Sequence, residues 1–383
     1  MRALRRTGKT PSTQSSTRTR SKPRTRSKLS AQKTPSLTKD EAKYLLETCE
    51  KLTNKQLQDF LQKQGLSRSG DKSDLNARIQ AAIQSGTITL QAILAELDRI
   101  LPWWRFHVYL YDAPPLTPKR WRDEEAVAEH LKANGLSDLL NAQIPIVLPE
   151  KLTLTSVTYS PDRLRSTAVQ RREYAERDEE LDPEDDIVDG NAVEFRAFVR
   201  QVARGVVSFE WDFENKVAML QITELQSGAK YEAIREAFYA LIRPWLDIKD
   251  FTPIDVSKAI PALHLSEQND EGEVRSHGIE YRTIEGRRLA ARSSTLTNSV
   301  LGEEVIDTSL DRIREEGVGH SGNFYWLPTE EGDGTQAELE REIHVIIIGD
   351  KNRVSMRTRS TTNVTEREMR HVLSRLRELS LRK

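Results

Sequence analysis

Six residues, Ser67–Lys72 (SRSGDK), carry the side chains that phosphate recognition calls for. Gly70 would let a ligand approach the backbone closely, Arg68 and Lys72 bring positive charge, and Ser73 stands where a helix N-cap would. A helix opening there aims its free N–H groups and the positive end of its dipole at an anion, and Arg78 adds a further charge. No other stretch matches this. Glu210 and Asp212 alternate on an expected strand with Glu214 in the turn after it, which sets three carboxylates on one face. A metal-dependent nuclease would also need a lysine on the partner strand, and Val217–Ile222 (VAMLQI) has none. Asp255-Val-Ser-Lys258 lacks a strand pair, so these acids are expected to be exposed on an edge hairpin. The seven histidines include no pair at metal-ligand spacing, and Gly317–Gly322 (GVGHSG) lacks the lysine of a phosphate loop and reads as a turn. No catalytic residue, cofactor or metal is expected, and the chain leans away from being an enzyme.

Two helices must position the loop. Thr53 is an N-cap, and Leu57, Phe60 and Leu61 follow at i, i+3, i+4 spacing. Gly65-Leu66 ends the helix as a left-handed C-cap with a hydrophobic residue behind it. Ser73 then opens a second helix that buries Leu75, Ile79 and Ile83. The pattern resembles the SAP motif, a helix–extended loop–helix module of DNA-associated proteins. Leu57, Leu61, Gly65-Leu66, Gly70, Lys72, Leu75 and Arg78-Ile79 carry the resemblance, which is confined to the module at about 38–86 and leaves the rest of the chain unassigned. It implies binding to duplex DNA, often AT-rich, through backbone and minor-groove contacts. The alternative is a bare helical hairpin that packs on the rest of the chain or binds protein.

Charge divides the 383 residues sharply. Residues 1–33 hold eleven Lys/Arg and no acid; the remaining residues hold 47 basic against 59 acidic side chains, a net charge of −12. Arg18-Thr-Arg20-Ser-Lys22 recurs as Arg24-Thr-Arg26-Ser-Lys28 in a Ser/Thr-rich arm, residues 1–37, with too little apolar content to order itself. Such an arm would track phosphates by counterion release, or serve as a nuclear localisation signal in a eukaryote. It has no apolar segment of the secretory kind, and the chain has no run long enough to span a membrane. The single cysteine, Cys49, rules out intramolecular disulfides and fits a helix core in a reducing compartment. A cytoplasmic, nucleoid-associated or nuclear location follows.

The expected architecture is α+β: a disordered arm at 1–37, a helical module at 38–86, a helix and small α/β region at 87–172, an acidic linker at 173–192 and an α+β domain at 193–383. A leading helix from Lys39 to Leu52 precedes the motif, and Thr89–Leu101 follows it with Ile93, Leu94, Leu97 and Leu101 inward. Phe106–Tyr111 is a strand. Its aromatic residues beside Arg105, Lys119, Arg120 and Arg122 would stack bases or, more ordinarily, form a core with a basic rim. Residues 176–189 carry nine acids and read as a solvated linker. Two hairpin-then-helix units are expected: Gly205–Phe213 with Lys216–Thr223 and a helix at Lys230–Arg243, then Ile343–Ile348 with Arg353–Thr358 and a helix at Thr365–Ser380.

The last unit forms a second basic surface. Residues 351–383 hold ten Lys/Arg and three acids. Arg353, Arg357 and Arg359 share a strand face, and Arg370, Arg375 and Arg377 decorate the final helix. They would touch nucleic acid or dock on an acidic surface. The sequence therefore describes a non-enzymatic protein that binds double-stranded DNA. Its body would recruit, sense or assemble, with a protein partner or a second copy at the C-terminal domain. The alternatives are a divergent nuclease at Glu210 and Asp212 and a protein scaffold.

Overall fold

In the computed structural model, residues 48–50, 52–100, 103, 105–145, 148–182, 186–188, 191–225, 230–269, 271–328, 339, 341–348, 357–360 and 364–381 are described. The arm with Arg18, Arg20, Lys22, Arg24, Arg26 and Lys28, most of the expected leading helix, and Arg353 lie outside them.

Three helices make the N-terminal module: α1 (Asn54–Lys63), α2 (Lys72–Gln84) and α3 (Leu90–Ile100). Thr53 caps α1 by accepting from the Gln56 N–H, and Gln56 returns the bond to the Thr53 N–H. The helix ends as the Gly65 signal predicts. Gly65 takes φ +72°, its N–H reaches Gln62 O, and the Leu66 N–H reaches back to Leu61 O at 2.8 Å. Leu57, Phe60, Leu61, Leu75, Ile79 and Ala82 join Cys49, Ile93, Leu94, Leu97 and Ile100 in a core of the module's own. Leu101, also expected inward, lies outside the described residues.

The body is one antiparallel sheet. Its strands are β1 (Phe106–Asp112), β2 (Thr153–Ser160), β3 (Arg163–Arg177), β6 (Phe198–Asp212), β7 (Val217–Thr223), β8 (Thr252–Pro253), β9 (Val274–Arg282), β10 (Arg288–Arg292), β11 (Val318–Trp326), β12 (Ile343–Ile348) and β13 (Arg357–Ser360). A separate small hairpin pairs β4 (Asp186–Val188) with β5 (Asn191–Val193). The spatial order β10-β9-β11-β12-β13-β1-β7-β6-β3-β2 mixes strands from residues 87–172 and 193–383 in one layer, with β8 added beside β1. The stretch expected to link two regions begins inside β3, where Glu173–Arg177 pairs with Phe198–Val202. Its polarity has a structural cause: this end of the β3–β6 ribbon lies past the reach of β2 and β7, so water wets it and no apolar alternation marks it.

Among the described residues, five helices of the body line two cores. Helices α6 (Ala259–Gln268), α7 (Glu304–Glu316) and α8 (Glu366–Leu381) pack with β9, β11 and β12 around one core, while α4 (Glu124–Ala133) and α5 (Tyr231–Ile242) pack with β6 and β7 around another. Strand β1 serves both. Phe106, Val108 and Leu110 enter the first core, and Tyr109 and Tyr111 the second, so both of its faces are buried. These aromatics are core residues, not a base-stacking platform. Both hairpin-then-helix units form, β6–β7–α5 and β12–β13–α8, and they flank β1. The glycines of 317–322 do not turn the chain but lead into and through β11. A Cβ on Gly319 would lie 2.7 Å from Ile260 Cβ, so its absence lets α6 sit close on the strand. No helix among the described residues is long and apolar enough to cross a membrane.

Candidate nucleic-acid interface

The loop between α1 and α2 is built around a capping box one step earlier than the sequence suggests. Asp71, not Ser73, is the N-cap of α2. Its carboxylate accepts from the Asp74 N–H at 3.0 Å, and the Asp74 carboxylate accepts from the Asp71 N–H at 3.2 Å. Ser73 thus falls inside the first turn. Gly70 makes this possible at φ +110°, where any Cβ would stand 2.6 Å from Asp74 Oδ2. Two of the amides expected to face an anion are therefore engaged by carboxylates, which weakens the helix N-terminus as the main phosphate contact.

Arg78 also has a different task. Its Nη1 donates to both Ser67 O and Ser69 O at 2.8 Å, clamping the loop backbone against α2. Arg68 bends back to the Gln62 side chain at 3.2 Å yet remains exposed, and Lys72 is exposed at the start of α2. Arg68 and Lys72 are thus the charges presented outward, and Gly70 and Arg78 are the residues that shape the loop presenting them.

Three arginines expected on the second basic surface are paired within the fold. Arg375 Nε lies 2.5 Å from Glu273 Oε1, and Arg375 also meets Glu378. Arg377 donates to Asp112 at 2.9 Å and to Asn215 O at 3.1 Å. Arg370 bonds Glu210 and lies 2.8 Å from Glu366. These three side chains tie α8 to the sheet and are not a row of free cations. Arg357 and Arg359 belong to an interior strand, in register with Ile348 and Ile346 of β12.

Glu210 corrects a further expectation. It is 2% exposed on a strand flanked by β3 and β7, not an exposed acid at a sheet edge. Arg165 Nε stands 3.0 Å from one of its oxygens, Arg370 bonds the other, and Arg163 lies 4.0 Å away. Burial pushes the Glu366 carboxyl up, but Arg370, Arg165 and Arg163 more than offset this and hold it below its usual value. This five-residue cluster had no sequence signal, since its members lie on β3, β6 and α8. Among the described residues no group of three or more His, Cys, Asp or Glu is placed to hold a metal ion.

Residues 48–84 match the family model of the SAP domain. The matched segment runs from the end of the leading helix through α1, the loop and α2, and the rest of the chain carries no such match. Comparison with curated proteins returned no match. The segment similar to the SAP domain thus contains the Ser67–Lys72 loop, which is the candidate interface.

Proposed function

We propose that this protein binds duplex DNA through its SAP module, gripping the sugar–phosphate backbone with little sequence selectivity. The observation that carries this reading is the shape of the Ser67–Lys72 loop, which Gly70 and Arg78 fix while Arg68 and Lys72 point to solvent. Contacts from such charges go to phosphates, so they orient the module on DNA without reading bases. The basic arm would add counterion release, and the α+β body would recruit a partner, sense a state or assemble with a second copy. An accessory of DNA repair, genome maintenance or anti-phage defence fits this division.

Fluorescence anisotropy of the full chain with a short labelled duplex, across a salt series, tests the proposal. The double variant Arg68→Ala/Lys72→Ala should bind several-fold more weakly, and deletion of residues 1–86 should remove most affinity. Unchanged binding by the deletion would overturn the reading. A metal-dependent nuclease at Glu210 and Asp212 is less well supported, because guanidinium groups already surround Glu210. Magnesium-dependent cleavage of plasmid DNA would revive it.

A further inference from the structure

A cavity of about 760 Å³ opens where the N-terminal helical module meets the body, walled by α3, by α8 and by the sheet face of β1, β3, β6 and β7. Five arginines line it against three carboxylates, in a protein whose residues beyond the arm are net acidic. Two of these cations are at its mouth: Arg99 of α3 is half-exposed, and Arg367 of α8 is exposed with no ion-pair partner among the described residues. Arg163 of β3 is engaged by Asp162 at 2.9 Å and by Glu366 at 3.2 Å. The deeper cluster holds the walls in place: Arg370 bridges Glu210 and Glu366 and lies over the Trp103 ring at 5.5 Å.

The mouth is continuous with the SAP loop. Arg68 reaches the Gln62 side chain near the end of α1; the next residue, Lys63, pairs with Glu96 on α3; and Glu96 pairs in turn with Arg99 at 2.5 Å. One carboxylate thus serves two cations, and the line of positive charge runs from Arg68 through Lys63 and Arg99 to Arg367. A nucleic-acid backbone, with one charge per phosphate, is the polymer that matches an extended track of this kind.

We infer that the cleft between the N-terminal helical module and α8 is a second contact for the same nucleic acid, with Arg99 and Arg367 taking backbone phosphates that lead away from the Ser67–Lys72 loop. The inference rests on DNA binding by the SAP module and assigns to the body a direct part in it. A module that binds weakly alone would gain from a second contact held at fixed distance, because the second encounter becomes intramolecular. Arg99 and Arg367 are the residues to remove, since both are exposed and neither holds the core together.

The experiment compares full-length wild type, Arg99→Ala/Arg367→Ala, Arg99→Lys/Arg367→Lys and Arg68→Ala/Lys72→Ala by anisotropy with a 20-base-pair duplex at several salt concentrations, with melting curves as folding controls. Removing two phosphate contacts should flatten the log–log salt slope by about 2 and cut affinity roughly tenfold at low salt, and the lysine pair should restore both. If the cleft variant keeps the wild-type slope while the loop variant loses affinity, the inference fails and SAP binding stands. If wild type does not bind the duplex at all, the proposed function fails with it. Failure of the lysine pair to restore affinity, with displacement of wild type from DNA by poly-glutamate, would instead identify the cleft as a protein-docking site and overturn the inference.

Discussion

Asp98 on α3 and Arg204 on β6 form an ion pair at 3.1 Å that joins the N-terminal helical module to the sheet, and Arg204 is only 4% exposed. Burial lifts the Asp98 carboxyl from 3.8 to about 6, and the nearby Arg204 offsets only part of the rise. A raised carboxyl disfavours the ionised form in the folded protein. The stability linked to this site is therefore full below about pH 4 and is lost as pH climbs through 6. Two pKa units correspond to about 3 kcal/mol. Melting curves of wild type and Asp98→Asn should coincide near pH 4.5 and separate toward pH 7.5, with Asp98→Asn the more stable. A wild type that outlasts Asp98→Asn at pH 7.5 would mean that the pair attracts more strongly than its burial costs.

Gly70 is constrained twice, by φ +110° and by the Asp74 carboxylate 2.6 Å from any Cβ. Gly70→Ala should break the capping box as well as strain the backbone. We expect a loss of about 1–2 kcal/mol in stability, comparable to removing an N-cap, and a loss of duplex affinity beyond that of Asp74→Ala. Denaturant melts and anisotropy on the same two variants check this. Equal affinity for Gly70→Ala and wild type would show that the loop shape does not matter to binding.

The module was legible because its signals are local. Thr53 with Gln56, the Leu57–Phe60–Leu61 stripe and Gly65-Leu66 each act within a few residues, and each is realised as its chemistry dictates. The N-cap inside it, Asp71 where Ser73 was expected, was not legible because both can cap and the choice depends on the backbone at Gly70. The body was legible as α+β and in its hairpins, but not in its sites. Arg370 and Glu210 lie 160 positions apart, so nothing near either residue marks the pairing. A net positive run such as 351–383 could not reveal that Glu273, Asp112 and Glu210 would meet Arg375, Arg377 and Arg370.

That arginine–glutamate cluster makes its own prediction. Replacing Glu210 with Gln removes the charge that three guanidiniums share, and uncompensated buried charge costs about 3–5 kcal/mol. Pairing it with Arg370→Met should recover part of the loss, because one excess cation leaves with its partner. A double-mutant cycle on chemical denaturation reads the coupling directly. Strict additivity would show that Glu210 and Arg370 are neighbours without being energetic partners.

Arg78 and Lys72 separate shaping from contact within one loop. Arg78 spends its Nη1 on Ser67 O and Ser69 O, whereas Lys72 is exposed at the first position of α2. Each lysine or arginine that neutralises a phosphate contributes about 0.9 to the log–log salt slope on B-DNA. Lys72→Ala should therefore weaken binding and flatten the slope by about 1. Arg78→Ala should weaken binding through a loosened loop while leaving the slope near that of wild type, and it should also lower the melting temperature. Titrations at four salt concentrations between 50 and 200 mM distinguish the two (roughly the range over which such slopes are read). A flattened slope for Arg78→Ala with unchanged melting would make Arg78 a phosphate ligand, and the clamp seen on the Ser67 and Ser69 carbonyls would then be a resting arrangement that DNA displaces.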